Sequence, residues 1–208
     1  MAALIKAAAA ADYPAEIVLV VSNRADALGL ERAKAAGIAT VVIESKPFGK
    51  DRTAFEAALQ RVLDQHRIEL ICLGGFMRLF TAAFAQSWYG RMLNIHPSLL
   101  PSFPGLDPQG QAMRAGVKIS GATVHFVIAK TDAGPILMQG AVAVSDYDSA
   151  ETLSERILEV EHRIYPDALR LLATGAVRLE GEICKTPDSA GSGNFLISPV
   201  AGADGTSA

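Results

Sequence analysis

The chain has 208 residues, half of them hydrophobic and a fifth charged, which is enough for one good-sized domain, or a domain plus a small appendage. A formal net charge of −3 argues against an extended nucleic-acid footprint but leaves room for a local cationic pocket that takes a small anion. No apolar run approaches the length of a membrane span, and Cys72 and Cys184 have neither metal spacing nor a CxxC pattern, so the expectation is a reduced, cytoplasmic protein.

The alanine-rich residues 2–12 predict a helix rather than a signal peptide, since there is no basic n-region and Lys6 interrupts the apolar stretch. Glu16 to Val21 reads as a buried strand. Asn23 to Asp26 opens a helix that runs to Ala36, with Gly37 in the position where helices commonly end. Thr40 to Ile43 is a second strand, followed by a loop at Pro47-Phe48-Gly49. A helix from Arg52 to His66 carries Phe55, Leu59, Val62 and Leu63 on one stripe. Leu70 to Leu73 is a third strand ending at Gly74-Gly75, and Met77 to Trp88 predicts one or two short helices. Apolar strands alternating with helices imply a parallel sheet covered on both faces.

The apolar run Met92 to Ile95 predicts a fourth strand, which stops at His96 because Pro97 lacks the N–H a central ladder needs. Asn94 and His96 lie two apart and therefore project to the same face. An amide donor and an imidazole thus meet at the carboxyl end of a strand, where open α/β sheets place their ligands. For these two residues alone, a capped strand exit is the favoured account.

After His96 the pattern changes. Pro97 to Gly110 is rich in proline and glycine and predicts a loop, with a short helix at Gln111 to Ala115. Gly121 to Ala129 and Pro135 to Val144 are β-rich runs separated by the turn Lys130 to Gly134, which predicts an antiparallel pair. Asp148 and Glu151 resemble a capping box for a long helix striped by Leu153, Ile157, Val160 and Ile164, and Pro166 is expected to kink or restart it. From Thr186 onward the composition shifts to Gly, Ser, Ala and Pro. The expected organisation is one domain over residues 1–185 and a disordered tail over 186–208.

Taken singly, the polar residues have ordinary explanations. His66 and the Glu161-His162 pair read as solvated helix positions. Asp132 suits a tight turn. His125 faces opposite to Val124 and Phe126, either into a cleft or into solvent. There is no metal-ligand cluster, no GxSxG and no Walker loop.

Together the motifs are specific. The ordered set Gly74-Gly-Phe-Met-Arg-Leu79, Asn94-Ile-His-Pro-Ser-Leu-Leu-Pro-Ser-Phe103, Gly121-Ala-Thr-Val-His-Phe-Val127, Asp132-Ala-Gly-Pro-Ile136 and Glu161-His-Arg-Ile-Tyr-Pro166 resembles the glycinamide ribonucleotide formyltransferases. These are a branch of the folate-dependent formyltransferase family, and the resemblance covers residues 1–180. It implies a Rossmann-like open, mostly parallel sheet with an antiparallel C-terminal strand pair and a long C-terminal helix.

The implied reaction passes a formyl group from 10-formyltetrahydrofolate to the amine of glycinamide ribonucleotide, with no metal. Amine attack on the formyl carbon builds an oxyanion that needs donors where charge develops. By resemblance, Asn94 and a protonated His96 are those donors, and Asp132 supports the charged imidazole and relays protons through water. Met77, Arg78, Leu79 and Asn94, with Lys130, Thr131, Ala133 and Gly134, are expected at the folate pocket. Gly75 and Glu161 are expected at the nucleotide, Glu161 on its ribose hydroxyls. His125 and Ser98 are expected in support. The implied partners are small molecules, with no nucleic acid and no membrane, and the protein is expected to be a monomer or homodimer.

Two departures from the family pattern shape the expectation. A first apolar strand and its glycine-rich phosphate loop have no counterpart ahead of Met1, which predicts exposed flanks on two neighbouring strands, poor stability and little activity. The family's Thr-His pair is replaced near Pro108-Gln109-Gly110. The alternatives are a formyltetrahydrofolate hydrolase, a methionyl-tRNA formyltransferase-like enzyme, or a folate-binding remnant without turnover. The acidic balance and length speak against the tRNA enzyme, and the lack of a preceding regulatory domain against the hydrolase.

Overall fold

The computed structural model describes residues 1–186, so the tail expected at 186–208 lies outside the described residues except for Thr186. A short helix α1 (Ala2–Ala8) precedes β1 (Leu19–Ser22), α2 (Leu28–Ala35) and β2 (Ala39–Val42). β1 and β2 pair in parallel, Leu19 opposite Ala39 through Ser22 opposite Val42. A parallel pair needs a crossover, and α2 supplies it by burying Leu30 and Ala33. Gly37, at φ +73°, turns the chain from α2 into β2.

α3 (Arg52–Gln65) begins where the Asp51 carboxylate accepts from the Ala54 N–H at 2.9 Å. Phe55, Leu59 and Leu63 recur at helical spacing and bury one stripe against Ile43, Phe84, Trp88 and Met92. The buried Glu56 on the same helix reaches α4 (Ala82–Ser87), accepting from both the N–H and the hydroxyl of Thr81 at 2.6 Å. β3 (Ile71–Leu73) lies parallel to β4 (Met92–His96). After α5 (Pro108–Arg114), β5 (Ile119–Phe126) runs antiparallel to β4, and β6 (Ile136–Ala143) antiparallel to β5. The sheet order is β3-β4-β5-β6, with the expected antiparallel pair at its C-terminal side.

α6 (Ala150–Ala173) lies across β5 and β6 and closes the larger core with Leu153, Ile157, Ile164 and Leu169. Ile157 is 1% exposed, and burying such a side chain contributes about 1.5–3 kcal/mol. The helix approaches closely because β6 has Gly140 beneath it, where a Cβ would come within 2.3 Å of the Val160 Cγ1. The Tyr165 hydroxyl donates to the Leu73 carbonyl at 2.7 Å, with the Leu93 carbonyl 3.2 Å away, tying α6 to β3 and β4.

Several local expectations need correction. α1 stops at Ala8, and α2 starts at Leu28, because Ser22, Arg24 and Asp26 bond among themselves in a turn. α5 starts at Pro108 rather than Gln111: Asp107, at φ +55°, accepts from the Gly110 N–H at 3.2 Å, and proline suits the first helical position. The capping box of α6 is Ser149 with Thr152, while Asp148 instead holds Arg156 through two 2.9 Å bonds. Pro166 neither ends nor divides α6, since residues on both sides of it pack on one core. A hairpin of β7 (Arg178–Glu180) and β8 (Ile183–Lys185) was not foreseen.

The parallel strands do not form one sheet. β1 pairs only with β2, and β3 pairs only with β4 on its parallel side, so each has an open flank among the described residues. Both sheets meet the α3 cluster, against which Val21 and Val41 of one and Ile71 and Leu73 of the other pack. Among the described residues no helix is long and apolar enough to cross a membrane.

Candidate active site

Asn94 and His96 close β4, and β5 delivers their neighbours by register. Asn94 pairs with His125 and His96 with Thr123, so all of these side chains share one face. His125 is turned away from solvent, only 3% exposed. Its Nδ1 lies 3.0 Å from the Phe126 carbonyl, which can only accept, so Nδ1 carries the hydrogen. Nε2 is then free to accept from the Asn94 amide at 3.2 Å. Burial pushes the His125 pKa below its ordinary value, against the pull of the Phe126 carbonyl and the Asp132 charge.

Asp132 arrives from the β5–β6 turn in a left-handed conformation, φ +50°. Its side chain is 9% exposed and lies between the two imidazoles, 3.5 Å from His96 Nδ1 and 3.8 Å from His125 Nε2. It also accepts from the Gly105 N–H at 2.8 Å. The turn reaches this depth because Gly134 sits against β5, where a Cβ would come within 1.8 Å of the Phe126 oxygen. On its far side His96 donates from Nε2 to the Phe103 carbonyl at 3.0 Å. One buried carboxylate, two imidazoles and one amide therefore converge at the carboxyl end of β4.

The loop after His96 is held by polar side chains that sequence reasoning missed. The Thr123 hydroxyl donates to the Ser98 carbonyl at 2.7 Å and accepts from the Leu100 N–H at 3.0 Å and from Gln139 at 2.9 Å. Thr123 lies two residues before His125, and that spacing was the available signal. Ser98 donates to the Ser102 carbonyl at 2.6 Å, so it shapes the loop.

Among the described residues, the other expected residues make no side-chain hydrogen bond or ion pair with these four side chains. Leu73 pairs with Asn94, so Gly74-Gly75 leave β3 beside the cluster, with Gly75 at φ +67°. Met77 and Leu79 are 75% and 60% exposed, while the Arg78 guanidinium stacks over the Phe55 ring at 4.6 Å. Lys130, Thr131 and Ala133 are exposed on the turn around Asp132. Glu161 is half-buried on α6, one helical turn before Tyr165, and burial pushes its carboxyl pKa up. Among the described residues no three His, Cys, Asp or Glu side chains are grouped to hold a metal ion.

This arrangement offers amide and imidazole donors beside a carboxylate in a largely buried cluster, which suits acyl-type transfer through an oxyanion. Known proteins carry the same chain pattern. A trifunctional purine biosynthetic protein adenosine-3 from Gallus gallus is 53% identical over 172 residues, covering 82% of this chain but 17% of that protein. The chain thus spans only a small part of that relative's length. A phosphoribosylglycinamide formyltransferase from Bacillus subtilis is 42% identical over 161 residues, covering 77% of this chain and 82% of that protein. The crystal structure of glycinamide ribonucleotide transformylase 1 from Symbiobacterium toebii superposes with a TM-score of 0.86 at 45% identity, covering 90% of this chain and 88% of that one. With residues 1–169 matching its pattern, a span that includes Asn94, His96, His125 and Asp132, the chain belongs to the formyl transferase family.

Proposed function

We propose that this chain transfers the formyl group of 10-formyltetrahydrofolate to the amine of glycinamide ribonucleotide, in the cytoplasm, as a step of purine synthesis. The observation that carries the reading is the convergence of Asn94, His96, His125 and Asp132 at the end of β4. The amine nitrogen attacks the formyl carbon, and the carbonyl π pair moves onto oxygen. One Asn94 N–H bonds to His125, so the other is free for that oxyanion. His96, whose Nδ1 lies 3.5 Å from Asp132, is the second donor to the same oxyanion in this reading. Asp132 takes a proton from the attacking nitrogen through water. On collapse the oxyanion pair re-forms the carbonyl, the bond to the folate nitrogen breaks, and that nitrogen leaves with the proton that Asp132 took, returned through water.

The exposed Met77 and Leu79, with Arg78 and the turn residues Lys130, Thr131, Ala133 and Gly134, line the folate side in this reading. Gly75 and Glu161 serve the nucleotide. The test is formyl transfer by the purified chain, read as tetrahydrofolate production, beside D132N and N94A. The expected loss is about a hundredfold or more for each variant. Folate binding by the unaltered chain without any transfer would instead favour a binding remnant.

A further inference from the structure

Asp132 and His96 are both held by a loop with no regular structure of its own. Residues 103–107 give the Gly105 N–H to Asp132 at 2.8 Å and the Phe103 carbonyl to His96 at 3.0 Å. This loop is conformationally demanding, with Phe103, Gly105 and Asp107 all at positive φ, 57°, 79° and 55°. Burial does not hold its tip: Leu106 is 74% exposed, and a Cβ on Gly105 would touch nothing within 4 Å. The Thr123 and Gln139 bonds secure only the earlier part, at Ser98 and Leu100.

What holds the tip is Gln111, on the first turns of α5. Its Nε2 donates to the Pro104 carbonyl at 3.2 Å and to the Leu106 carbonyl at 2.9 Å, one on each side of Gly105. Both amide hydrogens are used, and the reversed amide would set its oxygen against two carbonyl oxygens. With its two flanking carbonyls fixed, the Gly105 N–H has one direction, toward Asp132.

We propose that Gln111 is a positioning residue for the transfer, acting through residues 103–107 to aim the Gly105 N–H at Asp132 and the Phe103 carbonyl at His96. The proposal rests on the functional reading above. It separates shape from hydrogen bonding: Gln111→Glu keeps size and helix propensity but donates nothing and turns a carboxylate toward two carbonyls, while Gln111→Ala removes both.

The experiment combines steady-state kinetics of the full chain with the Gly105 amide resonance in a nitrogen–proton correlation spectrum. In both Q111E and Q111A the Gly105 resonance is expected to move upfield as its bond to Asp132 weakens. Turnover is expected to fall about tenfold or more, with KM for both substrates changed less than about twofold. The melting temperature should stay within about 2 °C. Wild-type turnover in Q111E overturns the proposal, because Gln111 would then serve only by its bulk. So does a loss of turnover with the Gly105 resonance unmoved. If the resonance moves but the unaltered chain transfers no formyl group, the positioning of Asp132 stands and the formyl-transfer reading falls.

Discussion

At His125, bonding and burial act on the same proton. The Phe126 carbonyl fixes the hydrogen on Nδ1, and the Asn94 amide needs Nε2 as an acceptor. Protonating Nε2 would set one N–H against another where the ring is 3% exposed. The native pKa therefore lies below the ordinary value of 6.5, so the unfolded chain takes up a proton first as the pH falls. The stability held in neutral His125 is complete above about 6.5, declines between that value and the lowered native one, and levels off below it. The check is the urea midpoint of the native chain and of H125Q, which keeps an acceptor but cannot titrate, at pH 7.5 and 5.5. The native chain should lose more stability over this interval; equal losses would show that His125 is not the group responsible. Residues such as Asn94 and His96 were legible because a strand converts a spacing of two into a shared face. Gln111 was not, since its partners are backbone carbonyls of an irregular loop, and no side-chain pattern announces those.

Among the elements, the β5–β6 turn has the least freedom. The Phe126 oxygen receives the His125 Nδ1 hydrogen and also blocks the space a Cβ on Gly134 would need. The neighbouring backbone bond, from the Phe126 N–H to the Pro135 carbonyl at 2.9 Å, leaves the carbonyl no easy retreat. Gly134→Ala is expected to lift the turn, carry Asp132 away from His96 and cost about 1–3 kcal/mol of stability. Turnover should fall by more than that destabilisation explains when measured well below the melting temperature. Full activity in G134A would mean that the turn can relax without moving Asp132. The antiparallel pair flanking this turn was readable from two β-rich runs around a Gly-containing turn. The cap of α6 was placed one residue early, because Asp148 and Ser149 are both good capping types and only the Arg156 contact decides between them. The β7–β8 hairpin escaped notice because strands of three residues carry too little alternation to register.

Over the whole molecule, strand pairing is uneven. β4 and β5 are paired on both sides, and most of β5 is fully buried. β1 and β3 are each paired on one side, are only half-buried, and meet the rest of the chain through the α3 cluster and the helices. Apolar runs such as Leu19 to Val21 and Ile71 to Leu73 identified both as strands, yet periodicity says nothing about which flank finds a partner. Local opening follows buried contacts and protected backbone bonds, so the unit formed by β1, α2 and β2 should open at lower free energy than β4, β5 and α6. Native-state hydrogen exchange in low urea tests this directly. Amides of Leu19 to Ser22 and Ala39 to Val42 should merge into one early-opening group, while those of Leu93 to Ile95 and Ala122 to Phe126 exchange only through global unfolding. A single free energy across both groups would mean that the α3 cluster and the helices couple the two sheets into one cooperative unit. The site built on β4 and β5 would then share its stability with strands that do not touch it.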